Sequence, residues 1–204
     1  MSTSKISVIG GGSFGTVIAN ISAENGYDVN FWMRNKSQAE QLNSTRENSQ
    51  YLPDYQLNER IFATSNMAAA VNDCGLIFVA VPSSSFRQVV RDMVPHLAEN
   101  TVLVSTTKGI ESGSFDLMTQ ILHQEAPNAK VGVLSGPNLA VEIAKKDLTG
   151  TVIASPDEQV RELVKSALKS KYFRVYANND MFGVELGGSL KNIYAIIAGI
   201  ATAL

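Results

Sequence analysis

The residues Ile6-Ser7-Val8-Ile9-Gly10-Gly11-Gly12-Ser13-Phe14-Gly15 decide the fold. A short, mainly apolar run typical of a strand leads straight into a glycine-rich turn, which opens a predicted helix over Phe14–Asn25. The turn fits the pattern G-x-G-x-x-G, in which Gly10 permits the tight turn, Gly12 lets a pyrophosphate approach the backbone, and Gly15 allows close helix–strand packing. Because a strand precedes the turn and a helix follows it, a dinucleotide-binding βαβ unit is favoured over an ordinary tight turn.

The alternation of strand and helix continues along the chain. Short apolar runs predict strands at Ile6–Ile9, Val29–Trp32, Leu76–Val81, Thr101–Ser105, Val131–Leu134 and Thr151–Ala154. Amphipathic segments predict helices at Phe14–Asn25, Ser37–Ser44, Ser65–Val71, Ser84–Ala98, Ser114–His123, Leu139–Lys145 and Pro156–Lys169. This order predicts the α/β class, with a doubly wound, mainly parallel sheet and right-handed crossovers. The stretch Asn48–Glu59 is predicted to be irregular and to run over the surface.

Composition and charge exclude several classes of protein. Of the 204 residues, 45% are hydrophobic and 18% are charged, which suits a packed core and excludes a disordered chain. Seventeen basic and nineteen acidic residues give a net charge of −2, so no basic excess favours a nucleic acid or an anionic membrane as partner. The longest apolar run, Ile193–Leu204, is shorter than the roughly 20 residues that a membrane span needs.

The cysteine and histidine content indicates a cytoplasmic protein without a metal site. Cys74 is the only cysteine, so the chain has no internal disulfide, and its N-terminus lacks the pattern of a secretory signal peptide. With His96 and His123 in unrelated contexts, these residues do not form a set of zinc ligands.

The end of the second predicted strand bears on the choice of cofactor. An aspartate or glutamate there would bind the ribose 2′-hydroxyl of NAD, but this chain has Arg34 and Lys36 and no carboxylate. A cation at this place would bind a 2′-phosphate, so NADP(H) is favoured. NAD(H) stays an alternative, because Arg34 could also stack on the adenine.

Three later turns follow predicted strands and therefore belong to the carboxyl edge of the sheet, where ligands bind in this architecture. They are Val81–Ser84, Thr106–Gly109 and Ser135–Ala140. Lys108 would place a cation in the crevice, able to hold a substrate phosphate or to polarise a carbonyl. The alternative is an ordinary lysine that faces the solvent.

A further motif lies near the C-terminus. Gly187-Gly188-Ser189-Leu190-Lys191-Asn192 leads into a predicted apolar helix, on which the isoleucines at 193, 196, 197 and 200 form one stripe. Lys191 lies on the opposite face, among small residues, at the predicted start of that helix. Because the helix dipole disfavours a cation at this end, a functional lysine is favoured over a capping lysine.

Taken in order, these motifs are similar to those of a known family. They are Gly10–Gly15, Phe31-Trp32, Val81-Pro82-Ser83, Thr107-Lys108-Gly109, Ser135-Gly136-Pro137, Phe173–Tyr176 and Gly183–Asn192. Together they resemble the bacterial NAD(P)-dependent glycerol-3-phosphate dehydrogenases over essentially the whole chain. That family interconverts sn-glycerol 3-phosphate and dihydroxyacetone phosphate, and it supplies the backbone for phospholipid synthesis.

The glycine pattern and the resemblance together imply roles for individual residues. Cofactor contacts are expected at Gly10, Gly12, Ser13, Phe14, Gly15, Arg34, Lys108 and Ala140. Substrate contacts are expected at Lys108, Gly136, Asn138 and Lys191, with Lys191 as the proton acceptor of catalysis. The family usually has serine or threonine where this chain has Asn138, so the chain departs from the pattern there.

The resemblance also implies a division of the chain. Residues 1–179 are expected to form a Rossmann-type dinucleotide-binding domain, and residues 180–204 the first helix of a truncated all-helical substrate domain. We expect these 204 residues alone to bind a dinucleotide and to lack turnover. We also expect them to associate through residues 193–204, as a homodimer or an aggregate. Two alternatives stay open: a dehydrogenase of the same architecture for another small hydroxy compound, and a dinucleotide-binding module without catalysis.

Overall fold

Ten strands and eight helices are seen in a computed structural model that describes residues 5–203. The strands are β1 (Lys5–Ile9), β2 (Asp28–Trp32), β3 (Glu47–Asn48), β4 (Leu52–Gln56), β5 (Ile61–Thr64), β6 (Leu76–Val79), β7 (Val102–Ser105), β8 (Lys130–Ser135), β9 (Thr149–Ala154) and β10 (Phe173–Asn178). The helices are α1 (Ser13–Glu24), α2 (Lys36–Thr45), α3 (Met67–Val71), α4 (Ser83–Met93), α5 (Met118–Glu125), α6 (Ala140–Ala144), α7 (Glu158–Leu168) and α8 (Met181–Ala203). A short 3-10 helix, Val94–His96, follows α4.

Eight of the strands form one sheet in the order β10-β9-β8-β7-β6-β1-β2-β5. All neighbours pair in parallel except β8 and β9, which are antiparallel. The chain leaves β1 toward β2 on one side and returns to β6 on the other, so the strand order reverses at β1. In such sheets a crevice opens at the carboxyl ends of the strands beside this switch point. The prediction of a doubly wound, mainly parallel sheet is confirmed.

Helices cover both faces of the sheet because alternate strand residues point to opposite sides. Ile6 and Val8 of β1 belong to one hydrophobic core, together with residues of α1 and α7. Ile9 belongs to the other core, with residues of α3, α4 and α5. This arrangement explains why several strands, such as β6, are apolar throughout.

The stretch Asn48–Glu59 is not irregular, so that prediction is wrong. Strands β3 and β4 pair antiparallel as a small second sheet. The segment folds because Leu52, Tyr55 and Leu57 are buried in the first hydrophobic core while the residues between Leu52 and Tyr55 stay exposed. Strands β5 and β10 were also not predicted, although β10 contains the Phe173–Tyr176 motif.

Helix α8 begins earlier than the sequence predicts. The Asp180 carboxylate accepts a hydrogen bond from the Gly183 N–H at 2.8 Å and caps the helix start. Lys191 therefore lies inside the helix, and the argument that the helix dipole disfavours it there is wrong. Beyond Lys191 the apolar stripe is uncovered, since Ile193, Ile196, Ile197 and Ile200 are each 54–64% exposed.

Within residues 5–203, none of the helices has the length and apolar character required to traverse a lipid bilayer. The same described part of the chain holds no cluster of three or more histidine, cysteine, aspartate or glutamate side chains suited to a metal ion. Cys74 is fully buried, and burial raises the pKa of its thiol to about 11.

Candidate dinucleotide and substrate site

Two positions of the glycine loop between β1 and α1, Gly10 and Gly15, have no room for a side chain. Gly10 has φ +127°, and a Cβ there would collide with the Ala80 carbonyl oxygen. A Cβ at Gly15 would collide with the Gly10 carbonyl oxygen. Around Gly12, by contrast, nothing lies within 4 Å of the position of a Cβ. Gly10 and Gly15 are thus needed for the packing of the loop, whereas the absence of a side chain at Gly12 leaves open space beside the first turn of α1.

Two side chains that sequence reasoning missed hold this loop in place. The Asn48 amide donates hydrogen bonds to the Gly11 carbonyl at 3.0 Å and to the Thr16 hydroxyl at 2.8 Å. The Gln38 amide donates to the same Gly11 carbonyl at 3.1 Å. Asn48 is 2% exposed, so its amide groups depend on these partners. Nothing in the sequence signals this contact, because only the pairing of β3 with β4 brings Asn48 to the loop.

A cleft of about 710 Å³ opens at the switch point of the sheet. It is bounded by the glycine loop, the turn after β2, the tip of the β3–β4 hairpin, and the turns after β6 and β7. Among the described residues that line it, the charged ones are Arg34 and Lys108, and none carries a carboxylate. In the described structure the guanidinium of Arg34 is exposed and makes no ion pair. The cleft is thus suited to an elongated anionic ligand.

Threonine side chains fix the turn that carries Lys108. The Thr106 hydroxyl donates to the Val79 carbonyl at 3.1 Å, and the Thr107 hydroxyl donates to the Val81 carbonyl at 2.7 Å. Both threonines are buried. These bonds join the turn after β7 to the turn after β6, so Lys108 is held at the end of the cleft.

The Lys108 ammonium reaches from the cleft toward a neighbouring turn. Its Nζ donates a hydrogen bond to the Gly136 carbonyl at 3.0 Å. Lys108 keeps open surface toward the cleft, yet the walls around it remove part of the water from its ammonium. This desolvation, together with the nearby charge of Lys191, lowers the pKa of Lys108 below its usual value.

Asn138 lies beside Gly136 on the same turn. Its amide nitrogen donates to the Thr151 hydroxyl at 2.9 Å. Its amide oxygen is buried and has no hydrogen-bond partner among the described residues. A buried acceptor without a donor is unfavourable by about 1–3 kcal/mol, so this oxygen is a candidate acceptor for a ligand hydroxyl.

The structure brings together most, but not all, of the residues that the sequence singled out. Those that line the cleft are Gly10, Gly12, Phe14, Arg34 and Lys108. The Gly136 carbonyl accepts a hydrogen bond from Lys108, and the charge of Lys191 is near enough to contribute to the lowered pKa of Lys108. Ser13 and Gly15 lie outside the cleft lining, and the Ser13 hydroxyl donates to the Tyr51 carbonyl at 2.7 Å. Ala140 begins α6 and packs against the first core, away from the lining.

A mainly parallel sheet with a glycine loop and a helix N-terminus at its switch point defines the class of Rossmann-type α/β proteins. Residues 5–161 match the family described as the N-terminus of NAD-dependent glycerol-3-phosphate dehydrogenase. The chain belongs to that family.

Relatives of known name agree with this assignment. The NAD(P)+ glycerol-3-phosphate dehydrogenase of Teredinibacter turnerae is 52% identical over 200 residues, which are 98% of this chain and 59% of the relative. That of Pseudomonas syringae pv. tomato is 53% identical over 199 residues, 98% of this chain and 58% of the relative. The crystal structure of glycerol-3-phosphate dehydrogenase from Coxiella burnetii superposes with a TM-score of 0.91 at 34% identity, over 98% of this chain and 61% of that one. The chain thus spans somewhat more than half the length of these relatives.

Proposed function

We propose that the full-length protein is a cytoplasmic oxidoreductase that interconverts sn-glycerol 3-phosphate and dihydroxyacetone phosphate with NAD(P)(H), and so supplies glycerol 3-phosphate for phospholipid synthesis. The observation that carries the proposal is the pair of lysines at the end of a glycine-loop cleft. Lys108 is bonded to Gly136, and Lys191 is close enough to lower its pKa. The names of the relatives identify the reaction for those proteins.

The residues of the cleft fit a dinucleotide. The open space beside Gly12 and the unpaired N–H groups of the first turn of α1 suit a pyrophosphate. Arg34 is placed to contact the adenosine end of the dinucleotide. Phe14 and Lys108 line the part of the cleft that would hold the nicotinamide end. Ser13, Gly15 and Ala140 do not line the cleft, and we propose that they hold the lining residues in position.

The pair of lysines also fits an anionic substrate. Two neighbouring ammonium groups repel each other, which is why Lys191 lowers the pKa of Lys108. A phosphate-bearing substrate relieves this repulsion. Gly136 holds Lys108 in place, and the unpaired amide oxygen of Asn138 would accept a hydrogen bond from a substrate hydroxyl.

The mechanism divides hydride and proton between cofactor and protein. When bound, the nicotinamide dinucleotide supplies or accepts the hydride at carbon 2 of the substrate. In the reduction, the protonated amine of Lys191 donates a proton to the oxygen on that carbon, and in the oxidation its neutral amine accepts it. Lys108 stabilises the negative charge that develops on the same oxygen.

We further propose that the dinucleotide-binding domain ends at residue 179 and that α8 opens the substrate domain. Only the first half of α8 packs on the sheet, whereas the isoleucine stripe is exposed. Burying such a side chain is worth about 1.5–3 kcal/mol, which favours self-association of the 204-residue chain through residues 193–204. Sedimentation that shows a monomer at every concentration would contradict a homodimer formed in this way.

The proposed function is tested by titrating the 204-residue chain with NADH and NADPH, with and without dihydroxyacetone phosphate, while following nicotinamide fluorescence. We expect saturable binding of both dinucleotides. Turnover is then measured on the full-length protein with glycerol 3-phosphate and, for comparison, with other small hydroxy compounds. Binding without any turnover would favour a non-catalytic module, and turnover only with another hydroxy compound would favour a different dehydrogenase.

Replacing Arg34 with alanine is expected to weaken NADPH binding by about tenfold or more and NADH binding much less. The reason is that a charge-assisted hydrogen bond to the 2′-phosphate is lost, which is worth about 1.5–3 kcal/mol. Lys36→Ala serves as the matched control, because Lys36 lies outside the cleft lining and pairs with Glu40 at 3.7 Å. Equal losses for both dinucleotides in Arg34→Ala would show that Arg34 does not bind the phosphate.

A further inference from the structure

We propose that Glu185, together with Ser189, is a positioning residue that holds α8 against the carboxyl edge of the sheet and so keeps Lys191 beside Lys108. The inference rests on the proposed role of Lys191 in proton transfer. Neither Glu185 nor Ser189 lines the cleft, so both act through the lysines.

Glu185 joins α8 to the start of α5. Its side chain is 2% exposed, and its carboxylate accepts hydrogen bonds from the N–H of Thr119 at 3.0 Å and from the Thr119 hydroxyl. The first N–H groups of a helix have no partner within it, and the N-cap of α5 is Leu117, which has no polar side chain. Glu185 thus supplies from α8 the acceptor that α5 lacks.

Three residues spaced at helical intervals place one face of α8 against three different elements. Glu185, Gly188 and Ser189 are three and four residues apart and therefore share a face. A Cβ at Gly188 would collide with the Ser135 hydroxyl of β8, so a side chain there would force that hydroxyl to move. The Ser189 hydroxyl accepts a hydrogen bond from the Gly109 N–H at 3.1 Å. The contacts reach α5, β8 and the turn after β7.

These contacts determine where Lys191 lies. Gly109 directly follows Lys108, and Lys191 lies two residues after Ser189, so the bond between Ser189 and Gly109 ties the two lysine-bearing segments together. A single contact would let α8 rotate or slide, whereas three contacts to separate elements prevent both.

A buried carboxylate at position 185 indicates that this residue positions α8 and does not merely fill space. Burying a carboxylate is unfavourable unless hydrogen bonds replace its water. Burial raises the pKa of Glu185, while the hydrogen bonds from Thr119 oppose this increase. An apolar side chain would fill the same space without this cost. Unlike apolar packing, the hydrogen bonds are directional, and they are satisfied only when α8 has one register relative to α5.

The test measures the pKa of Lys108 by NMR of labelled lysine in the 204-residue chain. In the unmodified chain we expect Lys108 to titrate below an ordinary lysine, and Lys191→Met to move its pKa upward. Glu185→Ala should raise the pKa of Lys108 at least half as much as Lys191→Met does, although Lys191 is still present. Glu185→Gln should keep the low value, because its amide oxygen accepts from the Thr119 N–H and its amide nitrogen donates to the Thr119 hydroxyl.

The matched control is Thr202→Ala in the same helix, since the Thr202 hydroxyl bonds only to carbonyls of α8 itself. It should leave the pKa of Lys108 unchanged. An unchanged far-ultraviolet circular dichroism spectrum and a cooperative unfolding transition show that each variant is folded, without depending on dinucleotide binding.

An unchanged pKa of Lys108 in folded Glu185→Ala, or in Lys191→Met, would overturn the proposal. If Glu185→Ala does not fold, Ser189→Ala must raise the pKa of Lys108 and Glu185→Gln must not, and the opposite result overturns it equally. The measurement needs no turnover. A full-length protein that is inactive on glycerol 3-phosphate would therefore refute the proposed function, whereas the pKa values of Lys108 in these variants would still test the role of Glu185.

Discussion

Lys191→Ala is expected to lower the turnover of glycerol 3-phosphate by the full-length protein about 10²–10⁴-fold, because the group that transfers the proton is lost. Affinity for NADPH should change little, since Lys191 does not line the cleft. Steady-state kinetics gives kcat and KM, and fluorescence titration gives the dinucleotide Kd.

The control for this substitution is Lys171→Ala, an exposed lysine that does not line the cleft and is not among the proposed site residues. It removes the same charge from the protein and should leave kcat unchanged. If Lys191→Ala retains most of its turnover, another group transfers the proton, and Lys108 is the first candidate because its pKa is already lowered.

Gly15→Ala is expected to destabilise the protein by about 1–3 kcal/mol and to weaken dinucleotide binding at least about tenfold, because its Cβ collides with the Gly10 carbonyl and the loop must move. Gly12→Ala should weaken binding as well, because its methyl group fills the space beside the loop. Gly12→Ala should lower the free energy of unfolding by at most about 1 kcal/mol, because alanine is a poorer N-cap for α1 than glycine. Urea unfolding and NADPH titration separate the two effects.

Gly199→Ala provides the comparison for both glycine variants. Gly199 lies in α8, and nothing lies within 4 Å of a Cβ at that position. Alanine is the better helix former, so stability should not fall and dinucleotide affinity should stay the same. A Gly15→Ala protein that is as stable and binds as tightly as the unmodified chain would show that the loop has room to adapt.

The fold class followed from patterns among consecutive residues. The run from Ile6 to Gly15 contains a strand, a turn and a helix start, and each is recognisable from local spacing alone. The alternation of apolar strands with amphipathic helices then predicts a mainly parallel, doubly wound sheet. Where the local pattern is weak, as in β3 and β4, or interrupted by glycine, as at Gly187 and Gly188, the prediction was wrong.

For the site, the sequence by itself determined which chemical groups are available. It identified the glycine loop, the cation Arg34 in place of a carboxylate, and Lys108 at the carboxyl edge, because each depends on neighbours along the chain. Lys191 was singled out partly for a wrong reason, since it lies within α8 and not at a helix start. Its connection with Lys108 appears only in the folded chain.

Only the tertiary structure decided which of these groups meet. Asn48 reaches Gly11 because β3 and β4 pair above the loop, and Lys108 reaches Gly136 because β7 and β8 are neighbours in the sheet. Glu185 meets Thr119 because α8 packs against β8, which brings its first turns to the start of α5. Hydrogen bonds are short and directional, so a pair distant in the chain forms one only when strand order and helix register bring both atoms within about 3 Å. Local sequence does not encode that distance, and packing of the whole domain does.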